Sequence, residues 1–351
     1  MSLEFRHIAH VYGQGTDRMR ALEDISFTAP TGEITCLLGS SGCGKSTLLN
    51  LAAGLLKVQQ GEITLGTEVL AAPSYNPPPE KRPVGLVFQD GALFPHMTLA
   101  RNIGFGAAKS TGSGVDGWLD RVGLGGLGER FPHELSGGQQ QRAALARAMA
   151  PGPQVLLMDE PFASVDIVLR RRLRRDCRIL LREQGTTTIL VTHDPAEALD
   201  VADRIAVMEA GRIVQFGTPQ QLHETPATAS VGAIFSGAQT VSATRDGAVL
   251  HTAFGDWPLE CVAGEVPDAA RLDLLVSSTA IDLHSDGPLL KVRDVQLQGQ
   301  GAKVLLSGQD GAEITAEVTG EVAGEFSAAA AAADGYRAAP RAGSVRAFAA
   351  K

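Results

Sequence analysis

Several features that would direct an interpretation elsewhere are missing from this chain of 351 residues. No run of about 18 consecutive apolar residues occurs, so we expect no segment that crosses a bilayer by itself. The first residues show no basic stretch followed by an apolar one, which argues against a secretory signal. Four cysteines occur without the close spacing of a metal site, which favours a reducing compartment: Cys36, Cys43, Cys177 and Cys261. Any role at a membrane should therefore depend on a partner.

An excess of positive charge is also missing. The formal net charge is −8, so no broad positive field attracts nucleic acid, and we expect no nucleic-acid partner. The basic run at residues 170–175 lies among Leu169, Leu173, Cys177 and Leu180 at helical spacing, and we interpret it as the solvated face of an amphipathic helix. With 44% hydrophobic and 20% charged residues, the composition is that of a folded protein of about two domains.

The order of predicted strands and helices indicates an α/β fold. A buried run at residues 33–38 is followed by a glycine-rich turn and then by leucines at helical spacing. Strand-like runs return at residues 155–158 and 187–192, each followed by a helical pattern. This alternation predicts a mainly parallel sheet.

Two other regions have a different texture. Helical patterns broken by glycine-rich turns occupy about residues 90–150 and predict an inserted helical subdomain. After residue 236 the chain shows short alternating runs between turn signals, which predicts a small, strand-rich domain over residues 237–351. The first domain is accordingly placed at residues 1–236.

The turn after residues 33–38 matches the phosphate-binding pattern GxxxxGK[ST] in full. Its glycines allow backbone N–H groups to surround phosphate oxygens at a helix N-terminus, where the helix dipole favours negative charge. We predict that Lys45 reaches the β- and γ-phosphates and that Ser46 holds Mg²⁺. The predicted nucleotide-binding residues of this loop are Gly39, Ser40, Ser41, Gly42, Cys43, Gly44, Lys45, Ser46 and Thr47.

Two carboxylates, Asp159 and Glu160, end the apolar run at residues 155–158. The mouth of a buried strand is a costly position for charge that has no purpose. We predict that Asp159 positions Mg²⁺ through water and that Glu160 acts as the general base toward the attacking water. An ordinary turn is the alternative, and the nearby phosphate loop makes it less attractive.

The sequence LSGGQQQR at residues 135–142 resembles the signature that distinguishes ABC ATPases from other phosphate-loop NTPases. The resemblance to that family covers about residues 1–232. It implies an ABC ATPase fold and a head-to-tail dimer in which the signature of one copy grips the γ-phosphate held by the other. The residues it assigns to this contact are Ser136, Gly137, Gly138 and Gln139.

Other residues match the family's remaining motifs in order. Tyr12 resembles the aromatic residue that stacks on adenine, and Gln89 the glutamine that touches both Mg²⁺ and the membrane partner. Asp166 resembles the D-loop aspartate and His193 the switch histidine, which would be catalytic beside Glu160 and Lys45. One departure is visible, because Ala-Ser-Val-Asp at residues 163–166 replaces the family's Ser-Ala-Leu-Asp.

Two segments resemble import ATPases in particular. Residues 89–103 are similar to the region through which importer ATPases dock on a permease, and residues 237–351 to the OB-like regulatory domain often appended to them. The resemblance implies an ATP-hydrolysing, magnesium-dependent subunit on the cytoplasmic face of the inner membrane. Its expected partners are a second copy, permease subunits, and a periplasmic or lipid-anchored binding protein.

The solute is the least constrained expectation. Residues 129–149 and 169–175 resemble ferric-iron import ATPases, while molybdate, polyamine and thiamine importers share much of this pattern. An exporter ATPase is one alternative. A soluble ABC protein without a transport role is another, although such proteins usually carry two cassettes or a long coiled-coil insertion, and this sequence shows one cassette and no sustained heptads.

Overall fold

The chain divides into two compact units, Met1–Gln221 and Leu222–Lys351. The structure is a computed structural model. It describes residues 1–13, 15, 17–106, 114–163, 165–284, 290–298, 301–308, 310–319 and 337–350, with the backbone alone at 167, 168, 284 and 319. This division falls before the predicted domain boundary between residues 236 and 237. The regulatory role of residues 237–351 stays a prediction.

The first unit contains two β-sheets. Its strands are β1 (Leu3–Tyr12), β2 (Met19–Ala29), β3 (Ile34–Leu38), β4 (Gln60–Leu65), β5 (Glu68–Ala71), β6 (Val84–Val87), β7 (Val155–Asp159), β8 (Thr187–Thr192), β9 (Arg204–Glu209) and β10 (Arg212–Gly217). An antiparallel sheet has the order β2-β1-β4-β5, and a six-stranded sheet has the order β10-β9-β3-β8-β7-β6.

The antiparallel sheet buries one face, since Leu3, Phe5 and Ile8 of β1 are all buried. The rings of Phe5 and Phe27 stack with their centroids 4.7 Å apart, which joins β1 to β2 across the core. This pair is the predicted lead-in to the nucleotide loop, although its strands are longer than the short runs that the pattern indicated.

The six-stranded sheet is parallel except for the edge strand β10. Strand β3 is buried at all five positions, and β8 and β9 pair with its two edges. The register places Leu38 opposite Thr192, Asp159 opposite Val191, and Val87 opposite Met158. The carboxyl-terminal ends of these four parallel strands therefore lie side by side, which is the usual location of a ligand site in parallel α/β folds.

Helices connect the strands of the sheet. They are α1 (Lys45–Ala53), α2 (Leu99–Gly104), α3 (Val115–Arg121), α4 (Gly137–Met149), α5 (Ile167–Gln184) and α6 (Pro195–Val201), with α7 (Pro219–Glu224) at the point of division and α8 (Ala229–Ser236) in the second unit. Helices α2, α3 and α4 pack on one another and form the predicted helical subdomain. None of the helices in the described ranges is both long and apolar enough to span a bilayer.

The second unit is built mainly of strands, as predicted. They are β11 (Gln239–Asp246), β12 (Val249–Thr252), β13 (Gly255–Pro258), β14 (Arg271–Val276), β15 (Ile281–His284), β16 (Lys291–Gln298), β17 (Gly301–Ser307), β18 (Glu313–Thr319), β19 (Arg337–Pro340) and β20 (Val345–Ala349). Trp257 lies at the centre of their core, 1% exposed, and its indole N–H donates to the Ala338 carbonyl at 3.0 Å. The alanine run at residues 328–333 lies outside the described residues.

Candidate active site

The phosphate-binding loop lies between β3 and α1, at the edge of the sheet where the parallel strands end. Two of its glycines are required by space, because a Cβ on Gly39 would lie 2.3 Å from the Met208 carbonyl oxygen and one on Gly44 would lie 2.5 Å from that of Ala21. Gly44 is also the N-cap of α1, with φ of 103°, and makes no side-chain cap. The first N–H groups of α1 therefore keep the donor capacity that an anion can use.

The ammonium of Lys45 is held at this loop. Its Nζ donates to the carbonyl oxygens of Gly39 at 2.7 Å and of Ser40 at 2.9 Å, and the residue is only 5% exposed. Carbonyl oxygens carry partial charge only, so a phosphate oxygen would be a stronger partner for the same donors. The geometry fits the predicted role of Lys45 toward the phosphates.

Ser46 and Asp159 meet across the sheet edge, with Ser46 Oγ donating to Asp159 Oδ1 at 3.2 Å. Burial raises the pKa of Asp159, and the Glu160 carboxylate adds to this, while the Ser46 hydrogen bond and Lys45 act in the opposite direction. A hydroxyl and a carboxylate are hard oxygen donors, the kind that Mg²⁺ prefers. The two residues thus fit the predicted metal site.

Glu160 follows directly and contacts the predicted switch histidine. Its Oε1 lies 3.0 Å from His193 Nδ1, and its backbone N–H donates to the Val191 carbonyl at 3.0 Å. Glu160 has φ of 42°, a conformation that costs a non-glycine residue about 1–3 kcal/mol and is concentrated at functional sites. The structure therefore brings the two predicted catalytic groups into direct contact.

Tyr12, at the end of β1, reaches the same loop. Its hydroxyl lies 3.1 Å from Thr47 Oγ1, and its ring meets the ring of His10 edge to face at a centroid distance of 4.8 Å. Sequence reasoning gave Tyr12 a stacking role but no contact with Thr47. The contact places an aromatic ring beside the first turn of α1.

Gln89 follows β6, one strand further along the same edge, and its side chain is exposed. The segment after it is fastened from two helices. Asn102 of α2 is fully buried and bonds to both the N–H and the carbonyl oxygen of Phe94 at 2.8 and 3.1 Å. Arg147 of α4 donates to the carbonyls of Gly91 and Ala92 at 3.0 and 2.6 Å. Residues 91–94 of the predicted docking segment are thus held by both helices, and its last residues belong to α2.

The signature residues begin helix α4. Ser136 is its N-cap and forms a capping box, in which Ser136 Oγ accepts from the Gln139 N–H at 3.4 Å and Gln139 Oε1 accepts from the Ser136 N–H at 2.9 Å. A Cβ on Gly138 would lie 2.7 Å from Leu169 Cδ2, so a larger residue there would displace the exposed Leu169 side chain. Within the described part of this chain, no hydrogen bond joins Ser136, Gly137, Gly138 or Gln139 to the phosphate loop.

Asp166 precedes α5, and its carbonyl accepts from the Arg170 N–H at 2.8 Å in the first turn. The interpretation of residues 170–175 as a solvated face is wrong at Arg174, which is 6% exposed and paired with acidic residues of α6 and its N-cap. Sequence reasoning missed it, because the partners Asp194 and Glu197 belong to another element and leave no signal in the local pattern. Arg171, Arg172 and Arg175 are exposed, as the interpretation requires.

All four cysteines are buried, and none forms a disulfide. Burial raises the pKa of the Cys177 thiol to about 12, with the Asp176 carboxylate adding to the effect. Cys43 lies within the phosphate loop, where its N–H donates to the Ser40 carbonyl at 3.3 Å. The cysteines therefore pack as core residues, and the Cys43 sulfur also lies 3.7 Å from the Nζ of Lys45.

The chain is similar to known proteins over the region that contains these residues. The family profile described as "ABC transporter" matches residues 22–163, which include the phosphate loop, the signature and both carboxylates. The Fe(3+) ions import ATP-binding protein FbpC 1 of Rhodococcus jostii is 41% identical over 288 residues, covering 81% of this chain and 82% of that protein. The chain belongs to the ABC transporter ATP-binding family.

Other members of the ABC family show the same similarity. The Fe(3+) ions import ATP-binding protein FbpC of Pseudomonas fluorescens is 45% identical over 68% of this chain and 69% of its own length. The sulfate/thiosulfate import ATP-binding protein CysA of Mycobacterium tuberculosis is 47% identical over 63% and 64%. As an ABC ATPase, the chain binds and hydrolyses ATP, as predicted.

A solved structure supports the fold of this ABC ATPase. The dimeric, post-hydrolysis ATP-binding cassette MJ0796, bound to ADP and phosphate, superposes with a TM-score of 0.54 and 27% identity. It covers 62% of this chain and 98% of its own. The roles of individual residues stay predictions.

Proposed function

We propose that this chain energises solute uptake as the ATPase subunit of a bacterial ABC importer, and that the solute is ferric iron. The observation that carries the proposal is the similarity to a Fe(3+) import ATP-binding protein over 288 residues. The first unit ends at Gln221, so a stretch of that length must extend into the strand-rich second unit. The similarity to the sulfate/thiosulfate protein covers 229 residues, which makes sulfate the second candidate.

The phosphates of ATP are bound by the loop at residues 39–47 and by Lys45, and adenine stacks on Tyr12. Ser46 and Asp159 would hold Mg²⁺, with Gln89 at the neighbouring strand end as a further oxygen donor. When bound, Mg²⁺ neutralises charge on the phosphate oxygens. The support is the 3.2 Å contact between Ser46 and Asp159, which joins the loop to the end of β7.

Hydrolysis requires that water attack the γ-phosphorus while its bond to the ADP oxygen breaks. Glu160 accepts the proton of the attacking water, and His193, 3.0 Å from its carboxylate, holds that carboxylate in position. Both side chains are partly exposed, at 23% for Glu160 and 55% for His193, so water can reach them. Catalysis of this kind depends mainly on positioning and on stabilisation of charge.

A second copy completes the site. Helix α4 begins with Ser136, Gly137 and Gly138, and the capping box with Gln139 fixes the direction in which its first turn points. Such a helix N-terminus suits an anion. We place it on the γ-phosphate held by the partner copy, with Asp166 at the same interface. The dimeric state of the cassette MJ0796 supports this arrangement.

The membrane partner docks on the segment at residues 89–103. An aromatic cluster marks this surface, where the rings of Phe94 and Phe105 lie 4.7 Å apart and Phe105 is 63% exposed. An exposed aromatic surface beside this segment suits a helix of a permease. The complex lies on the cytoplasmic face of the inner membrane, where a periplasmic or lipid-anchored binding protein delivers the solute and residues 237–351 act as an OB-like regulatory domain.

The catalytic assignment is tested with Glu160→Gln. This change keeps the shape of the side chain but removes its basicity, so ATP binding should persist while steady-state hydrolysis is lost and an ATP-bound dimer accumulates. Size-exclusion chromatography with and without ATP measures the dimer, and phosphate release measures turnover. A variant that hydrolyses ATP at the wild-type rate would show that Glu160 is not the base.

The solute is tested separately, by uptake of labelled ferric iron and labelled sulfate in cells with and without the chain. We expect loss of iron uptake alone. Loss of sulfate uptake alone would favour the second candidate, and unchanged uptake of both would leave the ATPase assignment intact while removing both solutes.

A further inference from the structure

Arg174 lies in the middle of α5, and its buried guanidinium is surrounded by carboxylates. Its Nη2 donates to Asp194 Oδ2 at 2.7 Å and to Glu197 Oε1 at 2.9 Å, and its Nη1 donates to Asp200 Oδ2 at 3.2 Å. The side chain is only 7% exposed, and that of Glu197 only 5%. Burial opposes its charge, but the carboxylates outweigh this and raise the pKa of Arg174. One arginine thus joins α5 to the segment at residues 194–200.

This segment begins beside the predicted switch histidine. Glu197 Oε2 accepts from Thr192 Oγ1 at 2.5 Å, and the same hydroxyl accepts from the Asp194 N–H at 3.0 Å. Both neighbours of His193 in the chain are therefore linked to Arg174. Asp194 bonds to it directly, and Thr192 bonds to it through Glu197. The His193 side chain itself points elsewhere, to Glu160.

The start of α5 is hydrogen-bonded to the segment that precedes it, which contains Asp166. Arg170 donates from Nη2 to the Val165 carbonyl at 3.0 Å and to that of Ala163 at 3.4 Å. Two helical turns separate Ile167, where α5 begins, from Arg174. One helix consequently carries contacts to Ala163, Val165 and Asp166 at its start and to both neighbours of His193 at its centre.

We propose that Arg174 is a positioning residue for ATP hydrolysis, which holds the backbone around His193 and couples it through α5 to residues 163–166. The inference rests on the proposed roles of His193 and Glu160. Without the guanidinium, Glu197 would be a buried anion beside two more carboxylates, and their repulsion would move the segment that positions His193. The phosphate loop has no bond to Arg174 in the described residues, so ATP binding should be spared.

The test compares steady-state ATP hydrolysis by the full chain in four proteins: wild type, Arg174→Met, Arg174→Lys and the control Arg175→Met. Arg175 is the next residue of α5 and is exposed. We expect Arg174→Met to lower kcat by about tenfold to a hundredfold, as a small misplacement of a catalytic group does, with little change in KM for ATP. Arg174→Lys should be less impaired than Arg174→Met, because the ammonium keeps the positive charge although it lacks the planar set of donors of a guanidinium. Arg175→Met should match wild type.

A background of His193→Ala separates positioning from other roles. If Arg174 acts through His193, then adding Arg174→Met to His193→Ala should lower the residual rate little further. An undiminished further loss overturns the inference, as do a wild-type kcat for Arg174→Met and a loss confined to KM. A wild-type rate for His193→Ala alone would instead refute the proposed role of His193, an outcome that the Arg174 variants do not mimic.

A second substitution keeps the test decisive if Arg174→Met does not fold. Thr192→Val removes the hydroxyl between Glu197 and Asp194 and leaves the charges in place. It should also lower kcat without raising KM, in a protein whose circular dichroism matches that of wild type. A wild-type kcat for Thr192→Val in that case would overturn the inference.

Discussion

Three glycines of the phosphate loop differ in what a methyl group would meet, and this difference predicts an order of stabilities for their alanine variants. Gly42 has φ of 82° and open space around its Cβ position. Gly39 has an ordinary φ, but its Cβ would lie 2.3 Å from the Met208 carbonyl oxygen. Gly44 combines the two, with φ of 103° and the Ala21 carbonyl oxygen 2.5 Å away.

The magnitudes follow from these two costs. Gly42→Ala should cost about 1–2 kcal/mol of unfolding free energy, the strain of a left-handed alanine. Gly39→Ala should cost about 1–3 kcal/mol, because overpacking against backbone cannot be relieved by a rotamer change. Gly44→Ala should cost about 2–5 kcal/mol, since both terms apply. Alanine also lowers the conformational entropy of the unfolded chain, which stabilises the folded state by about 0.4–1 kcal/mol. This gain is common to all three variants and leaves their order unchanged.

Urea unfolding can report on the first unit alone. The chain has two tryptophans, Trp118 in the first unit and Trp257 in the second, so a Trp257→Phe background leaves Trp118 as the only indole. Trp118 is 6% exposed, and its fluorescence should change on unfolding. The midpoints are compared at a common slope. If Gly44→Ala is no less stable than Gly42→Ala, then the close approach to β2 does not constrain the loop and the reasoning is wrong.

Three further changes test other parts of the site. Tyr12→Ala should weaken ATP binding by about 1–3 kcal/mol if the ring stacks on adenine, as measured by titration with a fluorescent nucleotide. Because burial raises the pKa of Asp159, the folded state binds this proton more tightly than the unfolded state, so nucleotide-free stability increases as pH falls through the raised pKa. Asp159→Asn should accordingly raise the Tm at neutral pH while weakening Mg²⁺-dependent ATP binding. Arg82→Met should cost about 1.5–3 kcal/mol in urea unfolding, because the guanidinium donates to the carbonyls of Leu51 and Ala52 at the end of α1.

Matched controls define the contrary outcomes. Tyr12→Phe keeps the ring and loses only the contact with Thr47, so a defect equal to that of Tyr12→Ala would argue against stacking. A Tm of Asp159→Asn at or below that of wild type would show that the carboxylate carries no burial cost. Lys81, next to Arg82, is exposed, and Lys81→Met should be neutral. An equal loss in both variants would point to a general charge effect.

The strands and the loop could be predicted because their signals are local. The buried run at residues 33–38 and the glycine pattern after it fix a strand, a turn and a helix start within about twenty residues. Strand β7 and its two carboxylates have the same character. The parallel sheet followed from the alternation of strands and helices, and the structure confirms it.

Arg174 could not be placed in this way. Its neighbours Arg171, Arg172 and Arg175 on α5 are exposed, and the sequence interpretation assigned the whole run of arginines to the solvated face. Its burial depends on Glu197 and Asp194, about two dozen residues further along the chain, which neutralise the charge once α5 and α6 pack together. Charge pairs between elements leave no periodic trace in a sequence.

The contact between Tyr12 and Thr47 was unpredictable for a similar reason. It depends on how the antiparallel sheet lies against α1, which neither sequence pattern contains. The direct bond between Glu160 and His193 likewise depends on the register of β7 against β8. The sequence supplied the identities of these residues, and packing supplied their partners.

The strand order of the six-stranded sheet has a consequence for biosynthesis. Strand β3 ends at Leu38, yet both of its neighbours, β8 and β9, come from residues 187–192 and 204–209. At about 5–20 residues per second, a ribosome needs roughly ten seconds or more to deliver them. During that time a largely apolar strand, in which Thr35 is the one polar residue, lacks both of its neighbours in the sheet, and the nascent chain should be a chaperone client that cannot yet retain ATP. Nucleotide binding would then mark the emergence of β9 from the ribosome.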